Sequence, residues 1–203
     1  MQPFMRVKKE FIKCSICGNA ESNLWHTVRE MMLGARDEFK YLECARCGCL
    51  ELKDAPVDIS KYYPPNYYAF QQPSYRHDNT LKSFLKRERS LYGLGRKGPL
   101  GLLTTAFWGK PFWHGWFRDI GLGLNSAILD VGSGSGDVLL ALSREGFSNL
   151  TGVDPFIKED IFYKNGVKIY KKDPSEITGQ YDFIMLHHAF EHMADPLVKL
   201  KLF

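Results

Sequence analysis

Residues Ile128 to Asp137 read ILDVGSGSGD, an apolar run that ends in an acid and then three glycines at every second position. Glycine loops of this kind follow the first strand of nucleotide-binding folds, where side-chain-free backbone can approach a ligand closely. The flanking residues keep to that plan. AILDV reads as a buried strand, Asp137–Glu145 as a helix stopped at Gly146, and LTGVD, VKIY and YDFIML as three further strands. Strands separated by short helical segments imply right-handed crossovers and a parallel sheet, so the fold class expected is α/β and Rossmann-like.

The loop also restricts its ligand. Gly132, Gly134 and Gly136 make G-x-G-x-G, and Asp137 stands where the dinucleotide fingerprint needs its third glycine. Asp130, at the end of the strand, would repel a pyrophosphate but favour a ligand carrying an ammonium and a sulfonium. Asp154, eighteen residues after Gly136, ends the second strand, where a carboxylate accepts from both ribose hydroxyls. An NAD-dependent oxidoreductase therefore has both Asp130 and Asp137 against it.

The stretch ILDVGSGSGDVLLALSREGFSNLTGVDP resembles motif I and the acidic loop of the class I S-adenosylmethionine-dependent methyltransferases. The resemblance implies S-adenosylmethionine as cofactor, held by Asp130, Gly132, Gly134, Gly136 and Asp154. It also implies Phe156 against the adenine face and Asp173, in KKDPSEI, near the adenine amino group. YDFIMLHHAFEHMADP is similar to the family's fourth strand and its EH…DP signature. The early cysteines followed by KYYPPNYY are similar to zinc-ribbon members associated with sugar or small-molecule methylation. The family's sheet has seven strands in the order 3-2-1-4-5-7-6, whereas this sequence ends just after the fourth. The expectation is then an incomplete sheet with a bare edge, open to a partner chain, and doubtful activity for this chain alone.

Methyl transfer asks the protein to align an acceptor and, for a hydroxyl, to remove its proton. His187, His188, Glu191 and His192 follow the fourth strand, and His188, then His187, are the expected bases. Glu191 and His192 can equally shape the turn. LHHAFEH lacks the Asn/Asp-Pro-Pro-aromatic stretch of base-amine methyltransferases, which disfavours that chemistry and leaves other RNA chemistry open; the resemblance to zinc-ribbon members implies a small-molecule acceptor, a sugar or a quinone-like phenol.

All five cysteines lie in the first quarter of the chain. CSICGN and CARCGC are two C-x-x-C-G units 26 residues apart, and this spacing suits a tetrahedral structural zinc on Cys14, Cys17, Cys44 and Cys47. Cys49 is left over as a bystander or core residue. Two redox pairs are the competing reading, but neither sits at a strand-to-helix junction of thioredoxin type. Four thiolates close the site, so the metal would fold the module and do no chemistry. Between the knuckles short alternating strands are expected.

Three segments result: a zinc-ribbon-like module over 1–53, a Tyr/Pro-rich connector and helical lid over 54–124, and the methyltransferase half-domain over 125–203. In the connector, Tyr62, Tyr63, Tyr67 and Tyr68 either cover a ligand or pack a linker, and Leu81, Phe84, Leu85 and Leu91 share one face of a helix. Gly98–Phe117 is the most apolar stretch, interrupted by Lys110, Pro111 and His114, which argues against a membrane span. Its Phe107, Trp108, Phe112 and Trp113 either lie on a bilayer surface or are buried against the larger domain, and burial is the expectation. A net charge of +4 gives no strong nucleic-acid signal, and the N-terminus lacks a secretory pattern, so a cytoplasmic protein is expected. The alternative from another class is a zinc-ribbon module that binds RNA or a protein, joined to an inert half-domain.

Overall fold

A computed structural model describes residues 12–54, 56, 60–62, 70–71, 78–193 and 196–203. The chain divides into two compact units, one drawn from Met1–Pro64 and Ala194–Lys201, the other from Pro65–Met193 with Leu202 and Phe203.

In the first unit, β1 (Leu24–Arg29), β2 (Glu38–Glu43) and β3 (Leu50–Leu52) form an antiparallel sheet in that order. The register sets Arg29 opposite Glu38, and the two pair at 2.8 Å. Every residue of β1 is exposed, and the buried apolar residues described in this unit are Cys14, Leu42 and Cys44. So small a core cannot outweigh the entropy of ordering the chain without a further link.

The second unit opens with three helices, α1 (Thr80–Gly93), α2 (Pro99–Trp108) and α3 (His114–Asp119). Asn79 caps α1, its side chain accepting from the Lys82 amide. The apolar face read on α1 is buried only in part: Leu81 and Phe84 are exposed, Leu85 and Leu91 are half-buried with Leu91 against the core, and the fully buried residues are Ser90 and Gly93. Small residues win there by allowing closer approach. A Cβ on Gly93 would lie 2.9 Å from the His114 ring, and one on Gly101 of α2 would lie 2.5 Å from Tyr92 Cβ. The expected burial of the aromatic cluster holds for Trp113 alone. Trp113 is fully buried against Phe117 and Phe147, whereas Phe107, Trp108 and Phe112 are exposed.

The sheet of this unit contains β4 (Ala127–Val131), β5 (Asn149–Val153), β6 (Ile161–Phe162), β7 (Lys168–Tyr170) and β8 (Phe183–Met185) in the order β6-β7-β5-β4-β8. The last four in this order are mutually parallel, as a Rossmann-like sheet requires; β6, which the sequence pattern does not announce, is a short antiparallel addition to β7. β4 is central and buried on both faces: Ile128 faces a core of Leu139, Leu142, Phe117 and Phe147, while Leu129 and Val131 join Val153 on the other side. α4 (Asp137–Arg144) crosses from β4 to β5, and Gly146 follows it in a left-handed conformation. A short α5 (Pro196–Leu200) lies near the C-terminus.

Candidate functional site

The C-terminal ends of β4, β5 and β8 lie side by side, with β4 at the point where the strand order reverses. Ligands of open α/β sheets bind in the crevice at such a point. The loop leaving β4 turns through Gly132, Gly134 and Gly136, all left-handed with φ of 76°, 54° and 91°. Side-chain-bearing residues adopt such angles at a cost, hence the alternating glycines. The Gly132 amide donates to the Val153 carbonyl at 2.8 Å, and the Gly134 amide donates to Asp154 Oδ2 at 2.9 Å. Gly152 lets β5 pass beneath: a Cβ there would sit 2.5 Å from Ser133 Oγ and 2.6 Å from Ile169 Cδ1. Ser135, which no sequence motif singles out, pins the loop from the other side. Its buried hydroxyl donates to the Gln71 carbonyl at 2.6 Å, and its own carbonyl accepts from Tyr163 Oη at 2.7 Å.

Asp130 and Asp154 are both buried under this loop. Burial, reinforced by the nearby Asp154 charge, pushes the Asp130 carboxyl up to about 7. Among the described residues its Oδ1 has no hydrogen-bond partner, so a buried acceptor with a strong preference for a donor or cation stands at the end of β4. Asp154 is also shifted upward by burial, opposed by the amides that it accepts, among them Phe156 at 2.8 Å. The Asp154 carboxylate thus organises the loop that it borders. The Phe156 side chain is exposed beside it. Asp173 caps the turn Pro174–Glu176 in a capping box, accepting from the Ser175 amide while Glu176 accepts from the Asp173 amide.

Ala189, in the loop after β8, comes so close to the glycine loop that a Cβ on Gly132 would lie 2.4 Å from its own. The histidine segment is therefore adjacent to the glycine loop. His188 is left-handed at φ 53°, a strained conformation for a residue with a side chain, and its Nδ1 lies 3.7 Å from Glu191 Oε1. The His187 ring lies against Trp116 of α3, with centroids 6.3 Å apart. Phe190–His192 form a short turn. Of the four tyrosines, Tyr62 donates to Asp37 in the first unit, and Tyr63, Tyr67 and Tyr68 lie outside the described residues.

The cysteines make a separate cluster. One sulfur atom from each of Cys14, Cys17, Cys44 and Cys47 lies within 4.8 Å of every other, with 3.7 Å from Cys14 to Cys47 and 3.5 Å from Cys17 to Cys44. A tetrahedron with Zn–S bonds of ~2.3 Å has edges of about 3.8 Å, so the donor set and its spacing fit zinc. The two knuckles repeat one geometry: Gly18 donates to the Cys14 carbonyl and Gly48 to the Cys44 carbonyl, each at 2.9 Å and each glycine left-handed. The Cys14 sulfur receives the amides of Ile16 and Cys17, and the Cys44 sulfur those of Arg46 and Cys47. Cys49 stands outside the cluster; its amide is directed at the Cys47 sulfur.

A family model covers this loop and its surroundings. Residues 108–203 match the model of a methyltransferase-domain family. The matched part contains the glycine loop, both buried aspartates and the histidine segment, and residues 1–107 lie outside the match. The chain is also 51% identical over 39 residues to a curated protein from Danio rerio, EEF1A lysine methyltransferase 2, a stretch covering 19% of this chain and only 17% of that relative. No solved structure matches the chain.

Proposed function

We propose that the site at the ends of β4, β5 and β8 binds S-adenosylmethionine and serves methyl transfer. The observation that carries the reading is Asp130 Oδ1, without a partner among the described residues and buried beneath a G-x-G-x-G loop of left-handed glycines. The residues fit the cofactor. Asp130 offers a buried acceptor to the ammonium of its amino-acid end, the glycine loop leaves room for its backbone-close approach, Asp154 stands for the ribose hydroxyls, and Phe156 and Asp173 for the adenine. When bound, the cofactor supplies a methyl group on a sulfonium that is already a good leaving group. The protein's task is then to hold an acceptor in line and to take its proton. His188 is the residue proposed for the proton, with His187 as the second choice; strain at His188 is of the kind that functional sites retain.

The acceptor class divides two readings. The resemblance to zinc-ribbon members of the family favours a small hydroxylated acceptor such as a sugar or a quinone-like phenol, and the name of the Danio rerio relative favours a protein lysine. A lysine amine also has to lose a proton before it can attack, so both use the same histidine segment. In the first unit the four cysteines are proposed as a structural zinc site. The test of the central reading is calorimetric titration with S-adenosylhomocysteine, using NADH as the control ligand. Micromolar binding of the first alone is expected, weakened at least tenfold in Asp154→Ala; binding of NADH alone would replace the reading. Tritium transfer from labelled cofactor to phenols, sugars or lysine peptides then separates the acceptors.

A further inference from the structure

The exposed face of α2 is apolar throughout, and α3 adds exposed apolar residues beside its charged Arg118 and Asp119. On α2, Leu102, Leu103, Ala106 and Phe107 form one continuous stripe, with Phe107 91% exposed. The opposite face, Gly101 and Thr104, is the one buried. On α3, Trp113 and Phe117 point into the core, while Trp116 and Ile120, with Phe112 just before the helix, remain outside. A soluble helix ordinarily turns charge toward water, and neither stripe contains a charged residue.

The rim of this patch is basic. From Arg96 to Arg118 the chain contains Lys97 and Lys110 but no acid; Asp119, which pairs with Arg118, is the first. Arg96, Lys97 and Lys110 have no ion-pair partner among the described residues. The local field is visible at His114, whose imidazole is held below its ordinary value by burial and then by Lys110 and Arg118. Protruding aromatic and aliphatic side chains inside a cationic rim are complementary to an anionic lipid surface, where apolar groups enter the acyl boundary and lysines meet headgroup phosphates. Ten residues of α2 span only ~15 Å, so the helix lies on the surface and does not cross it.

From this complementarity we infer that α2 and α3 dock the second unit onto an anionic membrane surface. Trp116 of α3 lies beside His187 of the candidate site. Docking itself does not depend on the methyl-transfer reading.

The test is cosedimentation of the full zinc-loaded chain with vesicles of phosphatidylcholine alone or with phosphatidylglycerol at 30 mol% (about one lipid in three). Binding to the anionic vesicles is expected, with a blue shift of tryptophan emission, and at least tenfold less to the neutral ones. Phe107→Glu, at a position too exposed to unfold the chain, should reduce binding at least tenfold. Lys110→Glu should reduce it several-fold on anionic vesicles only. Absence of vesicle binding by a chain with intact circular dichroism overturns the proposal. So does a dimer in sedimentation velocity that Phe107→Glu dissociates, because the face then belongs to a second copy.

Discussion

Burial beside Asp154 raises the carboxyl of Asp130: two acids at the ends of neighbouring strands share one buried space, and among the described residues Asp154 accepts backbone amides while Asp130 Oδ1 accepts none. The consequence is a proton balance with a definite sign. In the unfolded chain Asp130 ionises at the ordinary 3.8, and in the folded chain at about 7. Below pH 4 it is protonated in both states and contributes nothing. Between about 4 and 7 the folded state retains a proton that the unfolded state has lost, so stability falls as pH rises, by at most ~1.4 kcal/mol per unit from this group. Asp130→Asn should remove that slope in urea titrations and stabilise the ligand-free chain near pH 8.

A ligand ammonium placed beside Asp130 reverses the preference, because it favours the ionised carboxylate. Binding of S-adenosylhomocysteine at pH 6 should release a proton, seen as a dependence of the calorimetric enthalpy on buffer ionisation heat. The release should vanish in Asp130→Asn. Equal proton release in both proteins would remove Asp130 from the ligand's surroundings.

Gly152→Ala tests the loop from beneath. The added methyl meets Ser133 and the buried Ile169, and overpacking of this kind costs ~1–3 kcal/mol. A fall in thermal midpoint together with at least a fivefold loss of S-adenosylhomocysteine affinity is expected. A stability loss with unchanged affinity would mean that Ser133 yields without disturbing the ligand.

Removal of metal addresses the first unit. Chelation should release one zinc per chain, measured with a colorimetric indicator, and abolish the proton-exchange protection of β1 and β2. A structural zinc contributes ~10–16 kcal/mol of apparent binding free energy, far more than the small core around Leu42 supplies. Cys44→Ser should reproduce the chelated state, and Cys49→Ser should leave the zinc content unchanged.

His188→Ala should lower kcat at least a hundredfold on a hydroxyl acceptor while KM and cofactor affinity change little, as expected for lost general-base catalysis. His188→Gly, which relieves the left-handed strain, should be no more active and somewhat more stable. Retained kcat in both variants would move the proton to His187 or to water.

What could be read in the sequence depended on how local its cause was. The strand of Ile128 to Val131, the alternating glycines and the paired knuckles declared themselves because their spacing is their geometry. The buried face of α1 did not, since it was decided by Gly93 and Gly101 admitting neighbouring side chains, a long-range packing fact with no periodic signal. β6 is two residues long and paired by its neighbour's edge rather than by propensity. Ser135 looked like one more small loop residue, and its contacts to Gln71 and Tyr163 span 64 and 28 positions of sequence.

The contact between Gly132 and Ala189 sets a rule for redesign. Because the Ala189 methyl already fills the space beside Gly132, a library that randomises residues 187–192 in search of new acceptors is expected to disturb the glycine loop where position 189 grows beyond alanine. Fixing Ala189 and varying only its neighbours keeps selection for a new acceptor separate from selection for an intact glycine loop.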